Sequence, residues 1–362
     1  MPTVNEQILD ELTGHSVDLM RVDAYMRERV ITELRKLQRE LTSKLEQADL
    51  PGYTRTSYQR KRTRELLKQT EETISNYYQQ IAAIHAGMLD DVAGIAEVQV
   101  VSAINAGVSA SVASVAMSES QLVAIAKNTL IQGAPSAEWW GRQGAYLQMQ
   151  FEDKVRSGLM QGLTTGQIVQ SIRGTRANQY RDGIMQASKR SAENLVRTSV
   201  QAVANEARMQ TYDDNDDIIK AIEWVSTLDS RTSDICRALD GLTWKPGTMK
   251  PIGHNKKFPG PTAHWNCRSN QTPVLKSWDE LGIRTKKAKA IPESTRASMD
   301  GQVPESLKYE DWLKTKPKEF QVKVLGPGKY ELWKSGKLGF RDMVDQSGNA
   351  LPLEVLKAKL RG

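Results

Sequence analysis

A chain of 362 residues has room for two or three domains of ordinary size. A hydrophobic share of 39% and a mean hydropathy of −0.52 argue against one thick buried sheet and favour many amphipathic helices. Fifty Lys and Arg against 43 Asp and Glu leave +7, which permits contact with polyanions without showing it, and two cysteines, Cys236 and Cys267, exclude a disulfide scaffold and suit a reducing compartment.

In chain order, the opening MPTVNEQILDELTG carries acidic side chains and no apolar run, so no secretory leader is expected and synthesis is expected to place the chain in the cytoplasm. From about Val17 to Leu45 the apolar residues Met26, Val30, Leu34, Leu37, Leu41 and Leu45 recur at steps of three and four, the spacing of an amphipathic helix. Pro51-Gly52 breaks it. A second helical pattern follows through Leu66, Ile74, Tyr77, Tyr78, Ile81, Ile84 and Met88, giving an expected antiparallel pair.

Near the start of that second helix, Arg55, Arg60, Lys61, Arg62, Arg64 and Lys68 face only one acidic neighbour, Glu65. The cluster reads either as a nonspecific grip on nucleic-acid phosphates or as a solvated basic face.

Between Val92 and Lys127 the composition turns to Ala, Val and Ser, small residues that let helix axes approach closely. Val98 to Ser118 has no charge but seven polar side chains, so a packed bundle or oligomer seam is expected there in preference to a membrane span. Gly133-Ala134-Pro135-Ser136 reads as a break before further helices from about Tyr146 to Tyr212. Asp213 to Asp217 closes the helical half.

Beyond it the period falls to two: Ile218 to Ser226 is β-prone, and Asp240-Gly241 precedes a second strand at Leu242-Thr243-Trp244. Gly247 to Pro261 is rich in Gly and Pro and reads as irregular. The last eighty residues alternate turns with short helices around Trp312, Leu325, Leu332, Trp333 and Leu353.

The richest stretch chemically runs from Trp224 to Arg268. It contains Asp229-Ser230-Arg231-Thr232, then Cys236, then Leu239-Asp240-Gly241, then Pro261-Thr262-Ala263-His264-Trp265-Asn266-Cys267-Arg268. Cys236, His264 and Cys267 supply two sulfurs and an imidazole, the last two spaced His-x-x-Cys, close enough to share one ion. Asp229 or Asp234 can complete a tetrahedron around structural Zn²⁺; the alternatives are a metal-free knot of buried Cys, His and Trp, or a Cys236–Cys267 disulfide. Asp229 and Arg231, two residues apart, are expected to pair or to hold a turn. His264 and His254, with Lys256 and Lys257 beside the latter, leave room for a metal-dependent nuclease, although no nucleophile elbow or phosphate-cradling glycine loop accompanies them.

This order of elements, with a closing Pro273, resembles the phage Mu protein F-like family of minor head proteins. Gly158 to Ile172, Leu195-Val196-Arg197-Thr198, Tyr309 to Leu313, Leu325-Gly326-Pro327 and Ser335 to Leu338 are similar to its flanking regions. In some members a further Cys stands three positions before the first, where this chain has Ser233. Within the motif Arg231, Asp240, Gly241 and Arg268 are then structural positions.

The resemblance covers roughly Gly158 to Leu356, and the first 150 residues rest on pattern alone; together they give an expected fold that is α+β, mainly α: an elongated helical N-terminal half (a helical domain at 1–132 and a helical connector at 133–215), a small Mu F-like α+β module at 216–280, and an extended C-terminal tail with short helices at 281–362. The resemblance also implies a non-enzymatic minor capsid component in the virion head, at the portal vertex or capsid interior. Such a protein assembles in the host cytoplasm, has portal protein, other head proteins and packaged DNA as partners, acts on no small-molecule substrate, and serves head assembly and DNA packaging or ejection. The other two classes are the metal-dependent nuclease and an ejected, membrane-active internal virion protein.

Overall fold

In this computed structural model the described residues are 4–48, 57–108, 111, 113–115, 117–277, 280, 295–304 and 306–360; of residues 4–17, 57–59, 107–108, 295, 297 and 302 only the backbone is described. Pro51-Gly52 and Arg55 lie outside them. The elements in order are α1 (Val4–Ala48), α2 (Ser57–Val108), α3 (Glu119–Asn128), α4 (Ser136–Met160), α5 (Thr165–Arg173), α6 (Ile184–Asp214), β1 (Ile219–Val225), α7 (Asp234–Leu239), β2 (Thr243–Trp244), β3 (Pro251–Ile252) and β4 (Asn270–Leu275). There follow β5 (Thr295–Ser298), β6 (Gly301–Pro304), α8 (Tyr309–Lys314), α9 (Lys318–Leu325), α10 (Pro327–Lys334), a 3-10 turn at Phe340–Met343 and α11 (Leu353–Lys359). The fold is therefore mainly helical with a small antiparallel sheet, as the sequence suggests.

The chain forms two compact units, Met20–Asp91 with Ala126–Val200, and Met1–Leu19 with Val92–Ile125 and Gln201–Gly362. The first is helical. Along α1 the expected stripe of Met26, Val30, Leu34, Leu37, Leu41 and Leu45 is buried throughout. On α2 the inward face includes Leu66, Ile74, Tyr78, Ile81 and Leu89, and on α4 it is Trp140, Leu147, Phe151 and Val155. Gly158 ends that face because α5 crosses there: a Cβ would lie 2.7 Å from Ile168 Cγ1. Helix α5 starts on a reciprocal cap, Gln167 N donating to Thr164 Oγ1 at 3.3 Å and Thr164 N to Gln167 Oε1 at 2.8 Å.

The second unit holds the sheet, in the order β3-β2-β1-β4. Strand β1 pairs antiparallel with β2 (Ile222 opposite Trp244) and with β4 (Ile222 opposite Pro273, Val225 opposite Asn270). A central strand is covered on both faces, so Ile219, Ala221, Ile222, Trp224 and Val225 are all buried and the expected alternation is blurred. The C-terminal end of α6 packs on this sheet, with Tyr212 Oη donating to Gln271 O at 3.0 Å.

The Ala/Val/Ser stretch does not begin a new element at Val92, because α2 runs unbroken to Val108. Residues after it return along the helix. Asn105 Nδ2 donates to Ala113 O at 2.9 Å and its Oδ1 accepts from Ala113 N at 2.8 Å, while Glu97 Oε1 accepts from Met117 N at 2.9 Å. Val100, Val101, Ala103, Ile104 and Ala113 share one core with Met209, Tyr212, Ile219 and Ile222. Replacing Asn105 with Ala removes both bonds to Ala113 and is expected to cost about 1–3 kcal/mol, with hydrogen exchange rising first in residues 113–117. Unchanged protection there would contradict the clamp.

The C-terminal residues depart from the expected extended tail. Their short helices close over Tyr309, Trp312, Leu313, Leu325, Tyr330, Trp333, Phe340, Met343 and Leu356, which join Leu228 in a single core. The physical reason is aromatic content: Trp333 stacks on Phe340 at 5.8 Å, and Tyr309 meets Trp312 edge-on at 5.2 Å.

Candidate metal centre

The site is built on a turn, a short helix and a second turn. After β1, Asp229 Oδ1 accepts from Arg231 N at 2.9 Å and from Thr232 N at 3.0 Å, the side-chain-to-backbone turn that Asp favours. This directs the chain into α7, whose N-cap is Ser233, accepting from Cys236 N at 3.4 Å. Opposite stands the turn from His264 to Cys267, closed by Cys267 N donating to His264 O at 3.1 Å. Asn266 takes φ +59 there, a left-handed conformation that Asn tolerates better than most residues.

The two turns bring together Cys236, His264 and Cys267, whose ligand atoms all lie within 4.8 Å of one another. Cys236 Sγ is 3.2 Å from His264 Nε2 and 3.7 Å from Cys267 Sγ, and Ser233 Oγ is 2.7 Å from the same Nε2. Both cysteines are buried and His264 is half-buried. A hydrogen bond between the sulfurs, then burial, pushes the Cys236 thiol up. The same bond, with His264 beside it, holds Cys267 well below the ordinary thiol range against the opposing effect of burial. His264 is raised chiefly by its hydrogen bond to Cys267. Thiolate and neutral imidazole, which Cys267 and His264 can supply, are donor types that bind Zn²⁺.

Neither aspartate offered as a fourth donor joins them. Asp229 is held by Arg268, whose Nη1 and Nη2 donate to its two oxygens at 2.6 and 2.8 Å. Burial works to raise the Asp229 carboxyl, but Arg268 outweighs it and leaves it below the usual carboxylate range. Of the two expected relations between Asp229 and Arg231, an ion pair or turn hydrogen bonds, the turn is formed, through Arg231 N; the Arg231 side chain is exposed and the ion pair is made with Arg268. Asp234 accepts from Arg237 Nη1 at 2.9 Å and Lys329 Nζ at 2.6 Å.

His254, the other histidine of the nuclease reading, faces backbone through both nitrogens: Nε2 is 2.8 Å from Thr243 O and Nδ1 accepts from Lys256 N at 3.1 Å. Lys256 Nζ donates to Val344 O at 2.9 Å and Asp345 O at 3.1 Å. His254 thus ties the loop to β2, and Lys256 ties it to the C-terminal residues.

The remaining motif positions fix the scaffold. Gly241 has φ +74, and a Cβ there would sit 3.0 Å from the Lys308 side chain. Asp240 is buried: its Oδ1 accepts from Ser226 N at 2.8 Å and Arg296 Nη2 at 2.5 Å, its Oδ2 from Arg296 Nη1 at 3.0 Å and Tyr309 N at 2.8 Å. Arg296 carries no signal in its own neighbourhood, and sequence reading passed over it. In the helical unit Arg60, Lys61, Arg64 and Lys68 are exposed on α2, whereas Arg62 is half-buried and donates to Ala48 O at 2.5 Å.

No curated protein and no solved structure matches the chain. The family model described as Phage Mu protein F like protein matches residues 149–272, roughly a third of the chain, from within α4 into β4. The match takes in the Asp229 turn, α7, the Asp240-Gly241 step and the His264–Arg268 turn. Residues 149–272 therefore match the phage Mu protein F-like family, a family of structural proteins of phage head morphogenesis.

Proposed function

We propose that this protein is a minor head protein of a tailed phage that works at the portal vertex, where it contacts the portal, other head proteins and packaged DNA during packaging or ejection. The family match carries the head assignment. The DNA contact is supported by the first turns of α2, where Arg60, Arg64 and Lys68 recur at intervals of four and so share one face, with Lys61 beside them. A row of cations on a helix surface grips phosphates without reading sequence. The module around β1 and α7, pinned by Asp229–Arg268 and Asp240–Arg296, serves as a rigid docking unit.

Among the described residues no helix is long and apolar enough to cross a membrane. The stretch from Val98, considered for membrane contact, places Val100, Val101, Ala103, Ile104 and Ala113 in a protein core.

Coexpression with the portal gene product tests the head-vertex role: a stoichiometric ring-associated density is expected, and failure to associate would overturn it. For the DNA contact, binding to a random duplex is expected to weaken with salt. Engagement of all four exposed cations would give a log–log slope of about −3 to −4. Changing Arg60, Lys61, Arg64 and Lys68 together to Gln is expected to flatten that slope, and an unchanged slope would remove α2 from the interface.

A further inference from the structure

We propose that this protein holds one structural zinc ion, bound by the sulfurs of Cys236 and Cys267, by Nε2 of His264, and by the Ser233 hydroxyl as the fourth and weakest ligand. The first support is spacing. Bonds of about 2.3 Å to sulfur and 2.0–2.1 Å to nitrogen set the corners of a tetrahedron about 3.6–3.8 Å apart. The two sulfurs already stand 3.7 Å apart, Cys236 Sγ lies 3.2 Å from His264 Nε2, and all three ligand atoms lie within 4.8 Å of one another, so small side-chain shifts bring them to these spacings.

The second support is the histidine's orientation. His264 Nδ1 faces Trp265 O at 2.8 Å, and a ring nitrogen facing a carbonyl carries the proton. Nε2 then presents its lone pair to the two sulfurs and Ser233. Metal-ligating histidines are oriented by this type of backbone contact.

The third support is the fourth corner. Asp229 and Asp234 are committed to Arg268, Arg237 and Lys329, whereas Ser233 Oγ stands 2.7 Å from His264 Nε2. Ser233 and Cys236 have the spacing of a Cys-x-x-Cys pair with its first sulfur replaced by oxygen. A neutral hydroxyl is a poorer zinc ligand than a thiolate, so the site is a weakened form of a four-ligand centre and improves when the sulfur is restored. The ion would add a bond network between α7 with its N-cap and the turn before β4, beside the Asp229–Arg268 pair that holds the turn preceding α7.

The test uses the full chain purified without chelator from zinc-supplemented cells, with metal measured by mass spectrometry and free thiols titrated. One zinc per chain is expected. Cys267→Ser should lower it at least tenfold, and Ser233→Cys should slow zinc loss to a chelator at least tenfold. Reconstitution of the unaltered metal-free protein with Co²⁺ should give sulfur-to-cobalt charge-transfer absorption, a readout independent of variants that fail to fold. Less than a tenth of an equivalent of zinc, with no cobalt band, would overturn the proposal. Two free thiols would then indicate a metal-free buried cluster, and none a Cys236–Cys267 disulfide.

Discussion

Replacing Asp240 with Ala is expected to lower the stability of the sheet-containing unit by about 3–5 kcal/mol, the usual cost of removing one partner from a buried ion pair. The side chains of Asp240 and Arg296 are 2% and 1% exposed. Without the carboxylate, Arg296 keeps, among the described residues, the carbonyl partners Ser226 O at 2.5 Å and Leu307 O at 3.3 Å and no counter-ion. Ser226 N and Tyr309 N lose their acceptor at the same time. Asp240→Asn should cost nearly as much, because the amide turns one acceptor into a donor aimed at other donors. The combined Asp240→Leu and Arg296→Met variant should recover much of the loss, since paired apolar replacement avoids a stranded charge. Urea midpoints followed through tryptophan fluorescence measure all three. A loss below about 1 kcal/mol in Asp240→Ala would show that the pair is not the clamp described.

Acid should open the helical unit in a window set by His85. This side chain lies on the inward face of α2, fully buried, and accepts from Trp140 Nε1 at 3.0 Å through Nδ1, while its Nε2 has no hydrogen-bond partner among the described residues. Burial pushes its pKa down to about 3. An unfolded histidine titrates near 6.5, so below that pH the unfolded chain takes up a proton that the folded one refuses. The sign follows directly: His85 costs no stability above about pH 6.5, and stability falls as pH drops from there toward 3, by about 2 kcal/mol at pH 5. Hydrogen exchange in α2 and α4 across this range reports the loss. His85→Gln, which keeps an acceptor for Trp140 but does not titrate, should flatten the profile; an equally steep profile in that variant would clear His85 of the role.

The parts of the fold that were legible from sequence rest on local pattern. The α1 stripe from Met26 to Leu45 is buried residue for residue, and the cysteines and histidine singled out by spacing do meet. What escaped notice depends on partners distant in sequence. Nothing in the local pattern marks Glu97 or Asn105, yet they supply the hydrogen bonds that hold the returning chain. His85 takes an inward position on α2 where an apolar residue would be expected, and nothing short of Trp140 reveals why. Asp229 was offered to a metal because its competitor Arg268 stands 39 residues away. The C-terminal residues read as a tail because short helices show weak periodicity, whereas their aromatic side chains find one another only in three dimensions.

The Asp240 cluster also bears on the order in which a ribosome delivers this chain. Asp240 and Ser226 emerge first, Arg296 follows 56 residues after Asp240, and Tyr309 comes 69 residues after it. At roughly 5–20 residues per second, the carboxylate waits about 3–11 s for its counter-ion. During that interval the region ending at residue 272, recognisable by family, is an unfinished folding unit. A nascent chain halted there would hold the Asp240 carboxylate without its counter-ion until residues of the last quarter of the sequence arrive.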